Sequence, residues 1–79
     1  MPTVLYKNGY RFFFYSQEGN EPMHVHITKA EGIAKIWLEP EPNSAFFVRF
    51  SVREQREIIQ LAIENYTLLK KKWNEYFSK

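Results

Sequence analysis

The fold is decided by residues 24–38, which read HVHITKAEGIAKIWL. Two runs of alternating side chains flank the dipeptide Ala-Glu, and this pattern predicts a β-hairpin with a two-residue turn. In that register His26 faces Lys35 and His24 faces Trp37, with Cβ atoms about 4.5–5.5 Å apart. The rest of the predicted sheet extends outward from this hairpin.

Alternation along the hairpin separates two faces of the predicted sheet. His24, His26, Lys35 and Trp37 share one face, which is less apolar than a core needs and less charged than a solvated surface prefers. The opposite face is wholly apolar and is expected to pack on a helix. It carries Val25, Ile27, Ala34, Ile36 and Leu38.

A second hairpin is predicted before the first along the chain. The dipeptide Asn8-Gly9 lies between the apolar runs 3–6 and 10–16, and Asn-Gly in this setting is the strongest short hairpin signal. A two-residue turn there pairs Tyr6 with Arg11, Leu5 with Phe12 and Val4 with Phe13.

The C-terminal third changes from strand to helix periodicity. Residues 51–54, SVRE, fit a capping box, in which Ser51 and Glu54 satisfy each other's backbone amides. A continuous apolar stripe follows at spacings of seven, three and four. Its members are Val52, Ile59, Ala62, Tyr66, Leu69, Trp73 and Tyr76. The pattern favours one helix over two separated helices, and Asn65 is the position where this helix could be kinked.

The fold class follows from the order of these elements. Residues 39–44 contain two prolines and end the fourth strand, because proline cannot donate to a ladder, and residues 45–50 are predicted to form a short fifth strand. Because all the predicted strands precede the helix, with no alternation of strands and helices along the chain, the sequence argues against a parallel sheet. The sequence predicts an α+β fold: an antiparallel sheet of four or five strands packed on a long C-terminal helix, in a single domain spanning residues 1–79.

Composition narrows the function classes. The chain has 79 residues and no Cys, which excludes disulfides and thiolate metal sites. It has seven Phe, five Tyr and two Trp, so aromatic packing or association must supplement a thin core. A net charge of +2 lacks the strong basic signature of a dedicated nucleic-acid binder. With neither an apolar span nor a secretory signal, we expect a cytoplasmic protein without membrane association, and no cofactor is predicted.

The two histidines allow four interpretations. They are half-exposed strand residues packed on Trp37, part of a protein interface, an anion or RNA-phosphate site with Arg11 as a further contributor, or metal ligands. Two His at alternate strand positions can ligate zinc, but a site needs a third ligand, for which Glu18, Glu21 or Glu39 could approach. Lys35 beside the pair would repel a cation, so we predict no metal site.

Acid–base cleavage of a phosphodiester is a further interpretation of the same face. It needs one neutral and one protonated imidazole and a cation, for which His24, His26 and Lys35 are the candidate catalytic residues. The attacking and leaving oxygens lie on opposite sides of phosphorus. Because neighbouring His residues of one strand approach from the same side, the spacing does not favour this mechanism.

Several motifs together resemble a family of small bacterial proteins classed as a domain of unknown function. The motifs are MPTV at 1–4, FFFYS at 12–16, EGNEP at 18–22 followed by HVH, AKIWLEP at 34–40 and WNEYF at 73–77. The family usually has a second proline where this chain has Met23. The resemblance implies that His24, His26, Lys35 and Trp37 match the family pattern, and that such proteins are often encoded in pairs resembling toxin–antitoxin modules, with no established reaction.

Two function hypotheses result, and whether the chain is an enzyme is left open. The first is a protein-interaction component of a toxin–antitoxin-like two-gene module, whose partner is encoded by a neighbouring gene. The contact surface would be the face with His24, His26, Lys35 and Trp37, or the aromatic C-terminus. The alternative is a small metal-independent ribonuclease or RNA-phosphate-binding protein that uses the same histidine face. A homo-oligomer is compatible with either hypothesis.

Overall fold

In the part of the chain that the structure describes, five antiparallel strands form one meandering sheet in the order β1-β2-β3-β4-β5, followed by two helices. The computed structural model describes residues 3–15 and 20–77. The elements are β1 Thr3–Lys7, β2 Tyr10–Phe13, β3 His24–Lys29, β4 Gly32–Trp37, β5 Asn43–Val48, α1 Val52–Glu64 and α2 Tyr66–Phe77. The predicted α+β class with an antiparallel sheet is confirmed.

The β1–β2 hairpin turns at the predicted dipeptide, where Asn8 and Gly9 both have positive φ, as the favoured two-residue hairpin turn requires. Two predicted pairs are confirmed, Tyr6 with Arg11 and Leu5 with Phe12. The third is wrong, because Thr3 rather than Val4 lies opposite Phe13. A bulge between Thr3 and Leu5 shifts the register there. Strand β2 ends at Phe13, short of the predicted end at residue 16, which lies outside the described residues.

The β3–β4 hairpin has the predicted register throughout. His24 pairs with Trp37 and His26 with Lys35, and the turn residue Ala30 adopts a φ of 54°. The fifth strand begins and ends two residues earlier than predicted, over Asn43–Val48. Arg49 has a φ of 61°, and this left-handed turn ends the strand and directs Phe50 into the core.

The capping box at the start of α1 is confirmed. The Glu54 amide donates to Ser51 Oγ at 3.1 Å, and the Ser51 amide donates to Glu54 Oε1 at 2.9 Å. The expectation of one long helix is wrong, since α1 and α2 are separated at Asn65. Asn65 is the C-cap of α1: its φ of −110° and ψ of 20° depart from helical values, and its side-chain amide donates to the carbonyl of Leu61 at 2.9 Å.

The core lies between the sheet and the helices. All five residues predicted for the apolar face of the main hairpin are buried, together with Tyr10, Phe12 and Phe14 of the first hairpin region. From the helices, Ile58, Leu61, Ala62, Leu69 and Trp73 complete this cluster. The predicted helix stripe was wrong at Val52, which is 62% exposed, and it omitted Ile58 and Leu61. No helix of the described residues is long and apolar enough to span a membrane.

Candidate functional site

His24 and His26 lie on the same side of β3, as predicted, with ring centroids 5.3 Å apart and planes nearly perpendicular. Both are buried: His24 is 0% exposed and His26 is 6% exposed. The expectation that both rings lie away from the helices is wrong for His24, whose ring packs 5.1 Å from that of Trp73 in α2. Strand β2 pairs with β3 only as far as His26, and the Trp73 ring contacts both His24 and Phe14, the residue after the end of β2.

The orientation of the His24 ring follows from one hydrogen bond. Nδ1 lies 2.8 Å from the carbonyl oxygen of Pro22, and a carbonyl can only accept, so Nδ1 carries a proton. In a neutral imidazole Nε2 is then the unprotonated nitrogen. Nε2 lies 3.7 Å from Glu21 Oε1, so an ion pair with this carboxylate forms when the ring is protonated.

The His26 ring packs against two aromatic side chains. It stacks on Phe13 at 5.7 Å between centroids, and it forms a T-shaped contact with Tyr15 at 4.6 Å between centroids. Such aromatic pairs contribute about 0.5–1.5 kcal/mol each beyond the area they bury. The ring of His26 is therefore part of the packing on this side of the sheet.

The predicted cation of the site has two partners. Lys35 Nζ lies 2.9 Å from Glu21 Oε1 and 4.4 Å from the centroid of the Trp37 ring. One carboxylate oxygen of Glu21 thus lies near both the lysine ammonium and His24 Nε2. Lys35, Trp37 and the two histidines are brought together as the sequence predicted, with Glu21 as the acidic partner of the cluster.

Arg11 lies on the same side of the sheet as the histidines, opposite Thr28, two residues along β3 from His26. Its guanidinium is 4.5 Å from the centroid of the Phe13 ring, and its Nε donates to Thr3 Oγ1 at 2.7 Å. Because Phe13 also stacks on His26, this ring separates Arg11 from the histidine pair. The arginine therefore belongs to the same face of the sheet but not to the cluster around Glu21.

Metal ligation receives no geometric support in the part of the chain that the structure describes. Among residues 3–15 and 20–77, no group of three His, Cys, Asp or Glu side chains is placed to hold a metal ion. Of the three carboxylates considered from the sequence, Glu21 faces Lys35, Glu39 Oε1 accepts from the amide of Met23 at 3.2 Å, and Glu18 lies outside the described residues.

The chemistry that this cluster can perform is limited by access. A general acid or base must come within hydrogen-bonding distance of its substrate, and both imidazoles are covered by aromatic rings. The cluster is suited to packing, because its imidazoles contact aromatic rings. The carboxylate of Glu21 lies near both His24 and Lys35. Sequence reasoning missed Trp73 and Tyr15 as covers of the histidines, because neither contact follows from strand register.

The remaining surface on this side of the sheet is defined here as the open sheet face. It consists of two rows that cross all five strands. One row is Tyr6, Arg11, Thr28, Ile33 and Val48, and the other is Thr3, Phe13, His26, Lys35 and Phe46. Tyr6, Phe46 and Val48 are exposed, at 70%, 43% and 45%. The alternation of strand residues could have predicted from the sequence that these three side chains lie on the side of the sheet opposite the core.

The charges of the strands have one sign. Within β1 to β5 the charged side chains are Lys7, Arg11, Lys29 and Lys35, and those strands contain no Asp or Glu. Two of the four, Arg11 and Lys35, lie on the open sheet face. The face is therefore apolar with a basic component.

Fold and site together define a small α+β domain with a five-stranded meander, both helices contributing to one core, and a histidine pair built into the packing. The chain belongs to the family described as domain of unknown function DUF4160, whose model matches residues 9–74. This match confirms the resemblance to a small domain-of-unknown-function family. No curated protein and no solved structure matches the chain.

Proposed function

We propose that this domain is a protein-interaction module, the component of a toxin–antitoxin-like two-gene pair that binds the product of the neighbouring gene through its open sheet face. The observation that carries the proposal is the exposure of Tyr6, Phe46 and Val48 on the side of the sheet opposite the main core, a side that α2 reaches at His24 through Trp73. Phe46 and Val48 are neighbours on β5 and Tyr6 lies on β1 at the other edge of the face, and exposed aromatic side chains are enriched in surfaces that another protein covers.

A protein partner suits this face better than nucleic acid does. The two cations of the face are already engaged, Arg11 with Phe13 and Thr3, and Lys35 with Glu21 and Trp37. A nucleic-acid site needs several cations directed at phosphates. The groups that remain accessible are mainly apolar, and their complement is an apolar protein surface.

The sheet edges are poorer docking sites than the face. Both edge strands have an irregular register, β1 between Thr3 and Leu5, and β5 opposite Lys35 and Ile36. Bulges on edge strands interrupt the row of backbone groups that another strand would pair with. This argues against a homo-oligomer formed by edge-to-edge pairing, and it directs the proposal to side-chain contacts.

The proposal is tested by binding of the purified neighbouring gene product, measured by isothermal titration calorimetry. Phe46→Ser on β5 is expected to weaken binding about tenfold or more, the effect of losing about 1.4 kcal/mol at an interface. Ile63→Ser is the matched control, because Ile63 is also an exposed apolar residue but lies on α1. The control should bind within about twofold of wild type.

Two results would overturn the proposal: no binding of the neighbouring gene product, or equal binding by wild type and Phe46→Ser. The ribonuclease alternative predicts instead that the wild-type chain cleaves RNA and arrests growth. It also predicts that His26→Gln removes both effects while the circular dichroism spectrum is unchanged. That set of results would overturn the proposed binding function and support an enzymatic one.

A further inference from the structure

A groove lies between β5 and α1, on the other side of β5 from the open sheet face. Its volume is about 480 Å³, and Phe47, Val52, Gln55, Arg56, Ile59 and Gln60 line it. Ligand sites in proteins commonly span about 300–1,000 Å³ and combine an apolar lining with a few polar groups. The groove has this composition, with three apolar side chains, two amides and one guanidinium.

Of the described residues that line the groove, Arg56 alone is charged. It is exposed, and within residues 3–15 and 20–77 it forms no ion pair, whereas Arg49 pairs with Glu31, and Arg53 lies 3.9 Å from Glu57. A carboxylate is the complement of a guanidinium at the edge of an apolar groove, because a bidentate pair satisfies both groups.

The size of the open sheet face indicates that a partner needs more surface than this face offers. Five strands of four to six residues, about 4.8 Å apart, cover a sheet plane of at most roughly 20 Å by 20 Å, or about 400 Å². A stable interface takes about 800 Å² from each partner. The nearest additional surface lies across β5, since Phe46 belongs to the open sheet face and the next residue, Phe47, lines the groove.

We infer that the partner wraps around β5 and inserts into this groove a short apolar segment that carries a carboxylate, whose oxygens bind Arg56. The inference rests on the proposed function, because the occupant is a segment of the same partner protein. The apolar side chains of the segment contact Phe47, Val52 and Ile59. The carboxylate comes from an Asp or Glu side chain or from a chain terminus.

The test compares two arginines of α1 in the titration with the purified neighbouring gene product. Arg56→Gln is expected to weaken binding about three- to tenfold and to reduce its salt dependence, because one ion pair is lost. Arg53→Gln is the matched control: it removes the same charge from the same helix, outside the groove, and should bind within about twofold of wild type. Val52→Ser, at a 62% exposed position, should also weaken binding without affecting folding.

The outcomes separate the groove from the open sheet face. If Arg56→Gln and Val52→Ser bind as Arg53→Gln does while Phe46→Ser fails to bind, the groove inference is overturned and the open sheet face remains. If the groove variants lose affinity while Phe46→Ser binds normally, the groove is supported and the open sheet face is overturned. If the neighbouring gene product binds no variant and not the wild type, both are overturned.

Discussion

At the residue scale, the structure gives His24 a supporting role in the fold. Its ring is fully buried between Trp37, Trp73 and His26, and Nδ1 donates to the carbonyl of Pro22. A buried ring with a satisfied nitrogen contributes through packing and through the hydrogen bond it completes. Removing it creates a cavity and leaves a carbonyl without its donor.

We therefore predict that His24→Ala lowers the free energy of unfolding by about 2–4 kcal/mol, a large part of the 5–15 kcal/mol typical of small domains. Urea denaturation followed by tryptophan fluorescence measures this change. Tyr6→Ala, at an exposed position on β1, is the control and should cost under about 1 kcal/mol. A His24→Ala midpoint equal to that of wild type would show that the ring is not a packing residue.

At the element scale, the β3–β4 hairpin packs closely against the residue before the cap of α1, at the contact between Gly32 and Phe50. A Cβ placed on Gly32, the first residue of β4, would lie 2.6 Å from Cε1 of Phe50, nearer than real Cβ atoms approach a ring carbon. Phe50 is buried just before the helix cap, and its ring also packs on Tyr10 and Phe47. The missing side chain at position 32 therefore makes room for this ring.

Gly32→Ala is expected to lower the free energy of unfolding by about 1–3 kcal/mol, the usual cost of overpacking. The double variant Gly32→Ala/Phe50→Leu should cost less than the sum of the two single variants, because the smaller side chain vacates the space. Thermal and urea unfolding of the four proteins measure the coupling. Strictly additive costs would mean that the two positions do not compete for space.

At the scale of the whole molecule, a partly buried hydrogen bond connects the sheet to α1. Tyr10 is fully buried on β2, and its hydroxyl donates to Glu57 Oε1 at 2.6 Å. Burial, and then the hydrogen bond to this carboxylate, raise the pKa of the Tyr10 hydroxyl well above its ordinary value of about 10. The native state thus keeps a proton that the unfolded chain releases in alkaline solution.

The sign of the pH dependence follows from this raised pKa. The contribution of Tyr10 is fully present below about pH 10 and is lost as the pH rises above that value, at up to about 1.4 kcal/mol per pH unit. We predict that Tyr10→Phe lowers stability at pH 7 by about 1–2 kcal/mol and reduces the loss of stability above pH 10.

Urea unfolding from pH 7 to pH 11 measures both effects. Tyr6→Phe, which removes an exposed hydroxyl, is the matched control and should keep the alkaline loss of the wild type. An unchanged alkaline slope in Tyr10→Phe would contradict the raised pKa of the buried hydroxyl.

The sequence by itself determined the local features of this domain. Strand alternation and turn chemistry depend on neighbouring residues, so the register that joins His26 to Lys35, the turn at Asn8-Gly9 and the capping box at Ser51 were all predictable. The same alternation placed the two imidazoles on one side of β3.

Only the tertiary structure decided which of those side chains solvent reaches. Trp73 is about fifty residues from His24 along the chain, and no period of the sequence specifies that the two rings touch. The break at Asn65 likewise appears only in the folded chain, as a departure of this residue from helical dihedral angles with its side-chain amide bonded to the carbonyl of Leu61. Burial is a property of distant segments packed together, so the sequence left the surroundings of the histidine pair open, and the folded chain packs both rings against aromatic side chains.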